Sequence, residues 1–291
     1  MNTIIDRTFE GERALFGIQD TRLSRITFLP GESPVKQARN IAADHCHFRG
    51  KYPFWHNTNL VIEDCEFSAG ARAAIWYTSQ VTMKRCLVEA PKMFREVTGL
   101  TVEDTVFPDA AEFLWNCSDV TLHRVEVSRG DYIFMNGRNI RIDGFHLQGN
   151  YSFQDARDVV IRNAKIDSKD AFWNAENVTV IDSIITGEYL GWHSRNLRLI
   201  NCVITGTQPL CYASGLVMEN CTMKEADLCF EYSTLDADIC SDVISIKNPA
   251  GGTIRVHKVG LVIIDSFCPA PGSCEIIETD EVVEVVYGSP V

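Results

Sequence analysis

The chain has 291 residues, 45% of them hydrophobic and 23% charged, a globular balance with enough apolar mass for a sizeable core. Its net charge of −12 and the absence of any Lys/Arg run exclude the basic stripe of a nucleic-acid binder and disfavour an unaided polyanion as partner. No apolar run nears the roughly 18 residues of a membrane-crossing helix, the start MNTIIDRTFEGER lacks the features of a signal peptide, and an odd count of 11 cysteines points to reduced thiols, so the expected location is the cytoplasm.

Residues 1–40 read as an irregular first coil or cap, with Leu23, Ile26 and Phe28 facing in and a loop at PGESP (30–34). From Ile41 the chain repeats itself. Apolar residues open successive units at Ile41, Leu60, Val81, Leu100, Val120, Ile140, Val159, Val178, Leu197 and Leu216, in steps of 19 to 21 residues. Two residues on stand Ala43, Ile62, Met83 and their equivalents; five on stand Cys46, Cys65, Cys86, Cys202 and Cys221; seven on stand Phe48, Phe67, Val88 and Phe107. A step of two is a strand with alternate residues inward. The change of step from two to five inserts a corner, held by residues such as Asp64, Asn163, Asn201 and Asn220, which suit left-handed dihedrals.

Short strands, tight corners and a period near 20 describe an all-β fold: one single-stranded, right-handed parallel β-helix of about 11–13 coils, each coil stacking on the last. A single domain is expected over 1–291, with regular coils over 41–234 and irregular coils and a cap over 235–291, where FCPAPGSC (267–274) breaks the chain and EVVEVVYG (281–288) reads as a last strand. The cysteine column reads as small, buried filling: CxxC and CxxH pairs are absent, and Thr, Ser, Ala and Val share the position, so volume is the expected requirement.

The third strand of each coil carries the candidate site. Five residues before each opening position stand Trp55, Trp76, Arg95, Trp115, Met135, Gln154, Trp173 and Trp192, a column that holds all five tryptophans. The column before it, Phe54, Ile75, Phe94, Leu114, Phe134, Phe153 and Phe172, is uniformly apolar and is expected to be core, with the Trp column outside. Polar residues flank the rings, among them His56, Asn174 and His193 on one side and Asp131, Lys169, Asp170, Glu188 and Tyr189 on the other. Indole faces packing on sugar rings, with edge groups fixing hydroxyls, point to an oligo- or polysaccharide ligand. The candidate ligand-binding residues are Trp55, His56, Trp76, Arg95, Trp115, Asp131, Gln154, Trp173, Asn174, Tyr189 and Trp192. The candidate catalytic residues are Asp170, Glu188, His193 and Lys169, as a carboxyl pair for hydrolysis or as a base with a cation-bound acid for elimination. No cofactor is signalled; a divalent cation such as calcium would fit only the elimination reading, and no motif holds one. The alternative is a non-enzymatic scaffold whose Trp stripe is a homodimer or partner interface. A Ser-His-Asp hydrolase is disfavoured by the absence of a GxSxG elbow.

The motifs KYPFWH (51–56), GDYIFMN (130–136), SKDAFWN (168–174), GEYLGWHS (187–194) and DLCFEYS (227–233) resemble those of an uncharacterised bacterial family, a domain of unknown function with the pectin-lyase-like β-helix fold. The resemblance spans nearly the whole chain and implies the fold. It supplies no reaction and no catalytic set.

Overall fold

The structure, a computed structural model, describes residues 1–279, so EVVEVVYG (281–288) lies outside the described residues. The fold is a right-handed parallel β-solenoid of about 15 turns. The single helical element among the described residues is a 3-10 turn at Ala69–Ala71. The chain divides into two compact units, residues 1–159 and the remainder from 160, each taken by itself below.

In the first unit the repeat begins at the N-terminus, not at residue 41. Strand Asn2–Ile5 pairs in register with Gln19–Ser24, and Thr8–Phe9 pairs with Thr27–Phe28. Residues 1–40 are therefore two regular coils instead of an irregular cap, which raises the expected 11–13 coils to about 15. Polar Asn2, Thr21 and Arg7 occupy columns that are apolar elsewhere, and they hide the repeat from a hydrophobic pattern. One inward column runs Ile4, Leu23, Ala43, Ile62, Met83, Val102, Leu122 and Ile142 in unbroken register. Beside it Phe9, Phe28, Phe48 and Phe67 stack at 5.6, 5.1 and 4.7 Å between successive ring centres. Each such pair contributes about 0.5–1.5 kcal/mol beyond its buried area.

The second unit repeats the pattern with Val180, Leu199, Met218, Ala237, Ile254 and Ile276 as one column. Its last coils carry long strands, Thr234–Lys247 and Gly251–Ile263, with register shifts at Met218/Cys221 and Ile239/Asp242.

The third side of the coil is mostly a run of left-handed turns, not a strand. Among the described residues only Ile75–Trp76 and Phe94–Arg95 pair there as a two-stranded ladder, with isolated bridges such as that of Arg95 to Trp115. In the coil of Phe134 the residues Tyr132, Phe134 and Asn136 have φ of 57°, 61° and 56°. This alternation turns Ile133 and Phe134 both inward and leaves Met135 outside. Leu114, Phe153, Phe172 and Leu210 share the conformation. Bulky residues avoid it, at a cost on the order of 1–3 kcal/mol each, so burial of the side chain has to outweigh the strain.

All eleven cysteines are free thiols. Burial pushes Cys117 and Cys211 up to about 12, so both stay protonated at neutral pH. The cysteine column does more than fill volume. A bend takes a backbone N–H out of the ladder, and the next coil's side chain receives it: Cys46 N donates to Cys65 Sγ at 3.3 Å, Cys86 N to Thr105 Oγ1 at 3.3 Å, and Ala164 N to Ser183 Oγ at 3.0 Å. The same Sγ and Oγ atoms donate to the carbonyl two residues back, as Cys65 does to Glu63 O at 3.1 Å and Ser183 to Ile181 O at 2.7 Å. Val125 and Phe145 lack such an atom; the strands through that corner, Ser118–Val127 and Arg138–Gln148, are continuous, as are Thr98–Phe107 and Arg157–Asp167, which hold Thr105 and Ala164. Cys65→Ser should therefore be tolerated better than Cys65→Val, which keeps the bulk but orphans the buried Cys46 N–H. The expected difference is about 1–3 kcal/mol, read from thermal and urea unfolding midpoints.

Candidate functional site

The Phe/Ile/Leu column is core: Phe54, Ile75, Phe94, Leu114, Phe134, Phe153 and Phe172 are fully buried. The five tryptophans occupy the outer column of their coils and are half-buried. Cys211 and Phe230, in the corresponding places of later coils, turn inward and are buried.

In the first unit the outer column is a closed stack. Trp55 and Trp76 lie parallel within 7°, centres 5.1 Å apart. The Arg95 guanidinium sits between indoles, 4.4 Å from Trp76 and 4.6 Å from Trp115. Lys36, the member of the column one coil before Trp55, places its ammonium 5.5 Å from that ring. Each desolvated cation–ring contact contributes about 0.5–2 kcal/mol. The indole N–H groups are tied too: Trp55 Nε1 donates to Ala73 O at 2.6 Å, Trp76 Nε1 to Lys92 O at 2.8 Å, and Trp115 Nε1 to Tyr132 O. Glu112 fixes the arginine, accepting from Arg95 Nη2 at 3.0 Å and from Lys92 Nζ at 2.8 Å. His56 stacks on Tyr77 at 4.9 Å, and Tyr132 on Tyr151 at 4.6 Å. Asp131 is exposed and accepts from Asn150 N at 2.7 Å; Gln154 is half-buried in the Trp column, beyond Met135.

This arrangement corrects the expected use of the rings. A sugar lies flat on an indole only when the indole face is free. Trp76 is covered on both faces, by Trp55 and by Arg95, so the stack presents ring edges outward.

In the second unit Trp173 and Trp192 stack at 5.6 Å and 28°, and Trp192 Nε1 donates to Gln208 O at 2.7 Å. On one side of these rings Lys169 and Glu188 form an ion pair at 3.3 Å, with the ammonium 5.0 Å from the Tyr189 ring. Asp170 lies beside them. Its backbone N–H donates to Glu188 O at 2.9 Å and its φ is 54°. The residue is only 8% exposed, and among the described residues no group donates a hydrogen bond to its carboxylate. Burial raises the Asp170 pKa; Lys169 opposes the rise and Glu188 adds to it. His193 is not part of this cluster. It lies on the other side of the Trp column, with ring contacts to Trp173 at 5.2 Å and Tyr212 at 4.8 Å. The structure thus brings Lys169, Asp170, Glu188 and Tyr189 together and sets His193 and Asn174 on the opposite flank. Asn174 N donates to Trp192 O at 2.8 Å, and Arg195 Nη1 to Asn174 Oδ1 at 3.4 Å.

Sequence reading missed Lys36, and it placed Glu112 and Tyr212 in the columns flanking the rings without giving either a role. Lys36 was detectable by carrying the Trp column back one coil. Tyr212, whose pKa is raised by burial and then by Glu231, was visible as the stacking partner one coil after His193. Among the described residues no group of three or more His, Cys, Asp or Glu is placed to hold a metal ion. Two concavities lie off the Trp columns: one of about 80 Å³ beside His47, Glu66 and Ser68, and one of about 400 Å³ beside Leu216, Leu235 and Gly252.

Two measurements follow from this geometry. Arg95→Ala should open the stack and lower stability by about 1–2 kcal/mol, with a shift in tryptophan emission, and Arg95→Trp should recover most of the loss. Folded Asp170 holds its proton more tightly than the unfolded chain does. Its contribution is present below the ordinary carboxylate range and is lost as pH rises through the raised value, so Asp170→Asn should flatten that part of the curve of melting temperature against pH.

Among solved structures the chain is similar to PfbA, a surface adhesin of Streptococcus pneumoniae, with 12% identity over 81% of this chain and 83% of that one and a TM-score of 0.47. It is also similar to the tailspike protein of E. coli bacteriophage HK620 in complex with a pentasaccharide, at 10% identity, 95% and 72% coverage and a TM-score of 0.40. The A-module of the Azotobacter vinelandii mannuronan C-5 epimerase AlgE4 matches at 11% identity, 96% and 91% coverage and a TM-score of 0.31. At these identities the likeness is one of fold. No curated protein matches the sequence. A family model described as "Protein of unknown function (DUF3737)" matches residues 2–277, nearly the whole solenoid, and the chain belongs to that family.

Proposed function

We propose that the protein binds an oligo- or polysaccharide on the third side of its coils, at the Lys169–Asp170–Glu188–Tyr189 cluster of the second unit. The observation that supports binding over a purely structural role is Asp170. The residue is 8% exposed, and its carboxylate, whose oxygens still reach solvent, accepts no hydrogen bond from the described protein, so its accepting positions are available to a ligand. The two rings stack on each other, and Trp192 donates its indole N–H to Gln208 O, so they serve as a stiff floor while Asp170, Tyr189, Asn174 and His193 supply polar contacts at the edges. Glycosidic chemistry is the extension that this pair of acids could support: Asp170, with its raised pKa, as proton donor, and Glu188, held by Lys169, as base. No metal enters this reading, and neither does a nucleic acid.

A second reading has its own observation. Leu261 and Phe267 of the second unit are 57% and 74% exposed, and Ile244 and Ile264 are exposed with them. Exposed apolar groups of this kind are interface anchors. The partner-binding alternative therefore moves off the Trp stripe, where the rings stack on one another, and onto these residues.

A panel of soluble oligosaccharides titrated against the full chain, with tryptophan emission and calorimetry as readouts, tests the first reading. The expected result is saturable binding by at least one member, weakened about tenfold in Asp170→Ala and kept in Leu261→Glu. Light scattering tests the second: a dimer that Leu261→Glu dissociates, together with a panel that binds nothing, would replace the first reading by the second.

A further inference from the structure

We propose that the ligand of the second unit presents hydrogen-bond donors and carries no carboxylate: a neutral or amino sugar, not a uronate. The inference rests on the glycan reading above and names the chemical class within it.

The argument is an accounting of charge on one face. Four carboxylates flank the rings of this unit. Glu188 is paired with Lys169 at 3.3 Å, Glu231 with Lys247 at 2.8 Å, and Asp227 accepts a hydrogen bond from Thr207 Oγ1. The fourth, Asp170, receives no donor from the described protein. Both lysines of the face are therefore committed to carboxylates. A sugar acid would have to displace one of these pairs to find a cation, and it would bring a second carboxylate toward Asp170, which like-charge repulsion disfavours. A diol or an ammonium supplies what Asp170 lacks. Hydrogen bonds to an ionised acceptor are about twice as strong as neutral ones, and they gain further where water is largely excluded. The net charge of −12 acts in the same direction at longer range.

The position is built, not incidental. Asp170 takes φ of 54° with its N–H donated to Glu188 O at 2.9 Å, so the backbone holds the carboxylate in a semi-buried place. The residue as a whole is 8% exposed, so little of it besides the carboxylate oxygens meets solvent or a ligand.

The test compares two sets of oligosaccharides of matched length on the full chain: neutral and amino sugars (gluco-, manno-, xylo- and chito-oligosaccharides) and uronates (oligogalacturonate and oligomannuronate). At least one neutral or amino sugar should bind roughly tenfold or more tightly than any uronate, and Asp170→Ala should weaken it by about tenfold, the loss of one hydrogen bond to a charged acceptor. Asp170→Asn, close in shape, should fold as the native chain does and raise the melting temperature at pH 7 by about 2 °C, because it removes a poorly solvated charge. Uronates binding as tightly as neutral sugars would overturn the inference and leave the glycan reading standing; a neutral sugar indifferent to Asp170→Ala would overturn both, because it would bind elsewhere. A panel that binds nothing would overturn the glycan reading itself. The comparison on the native chain decides between these outcomes even if a variant does not fold.

Discussion

Every side chain of this fold meets its own column first. A parallel ladder with strands about 4.8 Å apart places residue n over the residue 19 or 20 earlier, and the register Ile4, Leu23, Ala43, Ile62 holds that relation coil after coil. The consequence is that like must tolerate like. Phenylalanines stack on phenylalanines inside, and asparagines bond asparagines outside, as Asn59 Nδ2 does to Asn40 Oδ1 at 3.0 Å and Asn220 Nδ2 to Asn201 Oδ1 at 2.9 Å. At the first corner, charges in one column alternate in sign: Arg85 sits on Asp64 at 2.8 Å, and Arg124 on Asp104 at 2.5 Å. These surface pairs contribute little each. Their role is to let a charged chain stack at this spacing without repulsion.

The same rule explains which parts of the structure were legible in the sequence. Inward columns of the first two strands repeat with apolar residues at fixed spacing, and there pattern and structure agree from Ile41 onward. Leu23, Ile26 and Phe28 of the second coil were read as inward and are buried, but the first coil was illegible because a terminal rung buries less. Asn2 and Arg7 stand at inward positions of a coil with a neighbour on one side only among the described residues, so no dense core demands apolar side chains there. The third side was misread for a different reason. Strand alternation assumes extended dihedrals, and Phe134 at φ of 61° breaks the assumption with a residue that gives no warning of it. The orientation of the Trp column was nevertheless recoverable, because Arg95 and Gln154 stand in it and Phe54 to Phe172 do not mix with polar residues. In the cysteine column, composition alone suggested volume. The role of Sγ and Oγ as acceptors for a corner N–H appears only once the corner is seen to interrupt the ladder.

The candidate site was legible in part. Lys169, Asp170, Glu188 and Tyr189 occupy adjacent columns on successive coils, and the structure gathers them. His193 was grouped with them by proximity in sequence, yet four residues along this side of the coil cross the whole Trp column. The stacking of the rings was also beyond the pattern. A column of tryptophans can splay outward as separate platforms or close on itself. Arg95 between two indoles, with Glu112 behind it, selects the closed form by neutralising the guanidinium and filling the gap in the stack. That closure moves the chemistry from ring faces to ring edges and to the polar columns beside them.

Asp170 stands out against this background because the fold offers so many ways to satisfy an acid. Asp64, Asp104 and Asp44 each have an arginine one coil away, and the arginine holds Asp64 and Asp104 below the usual carboxylate range. Asp265 is lowered by the backbone N–H of Phe267 and by Asn248. The position one coil above Asp170 is Tyr189, which gives it a ring in place of a cation, and Lys169 reaches Glu188 instead. A repeat that pairs its charges by register has thus left one half-desolvated carboxylate without a donor, next to two stacked indoles. The carboxylate's partial desolvation raises its pKa and so lowers the stability of the free chain once the group is ionised. It is the kind of local departure from an otherwise consistent sequence that functional sites show, and a ligand hydroxyl is the simplest group that would repair it.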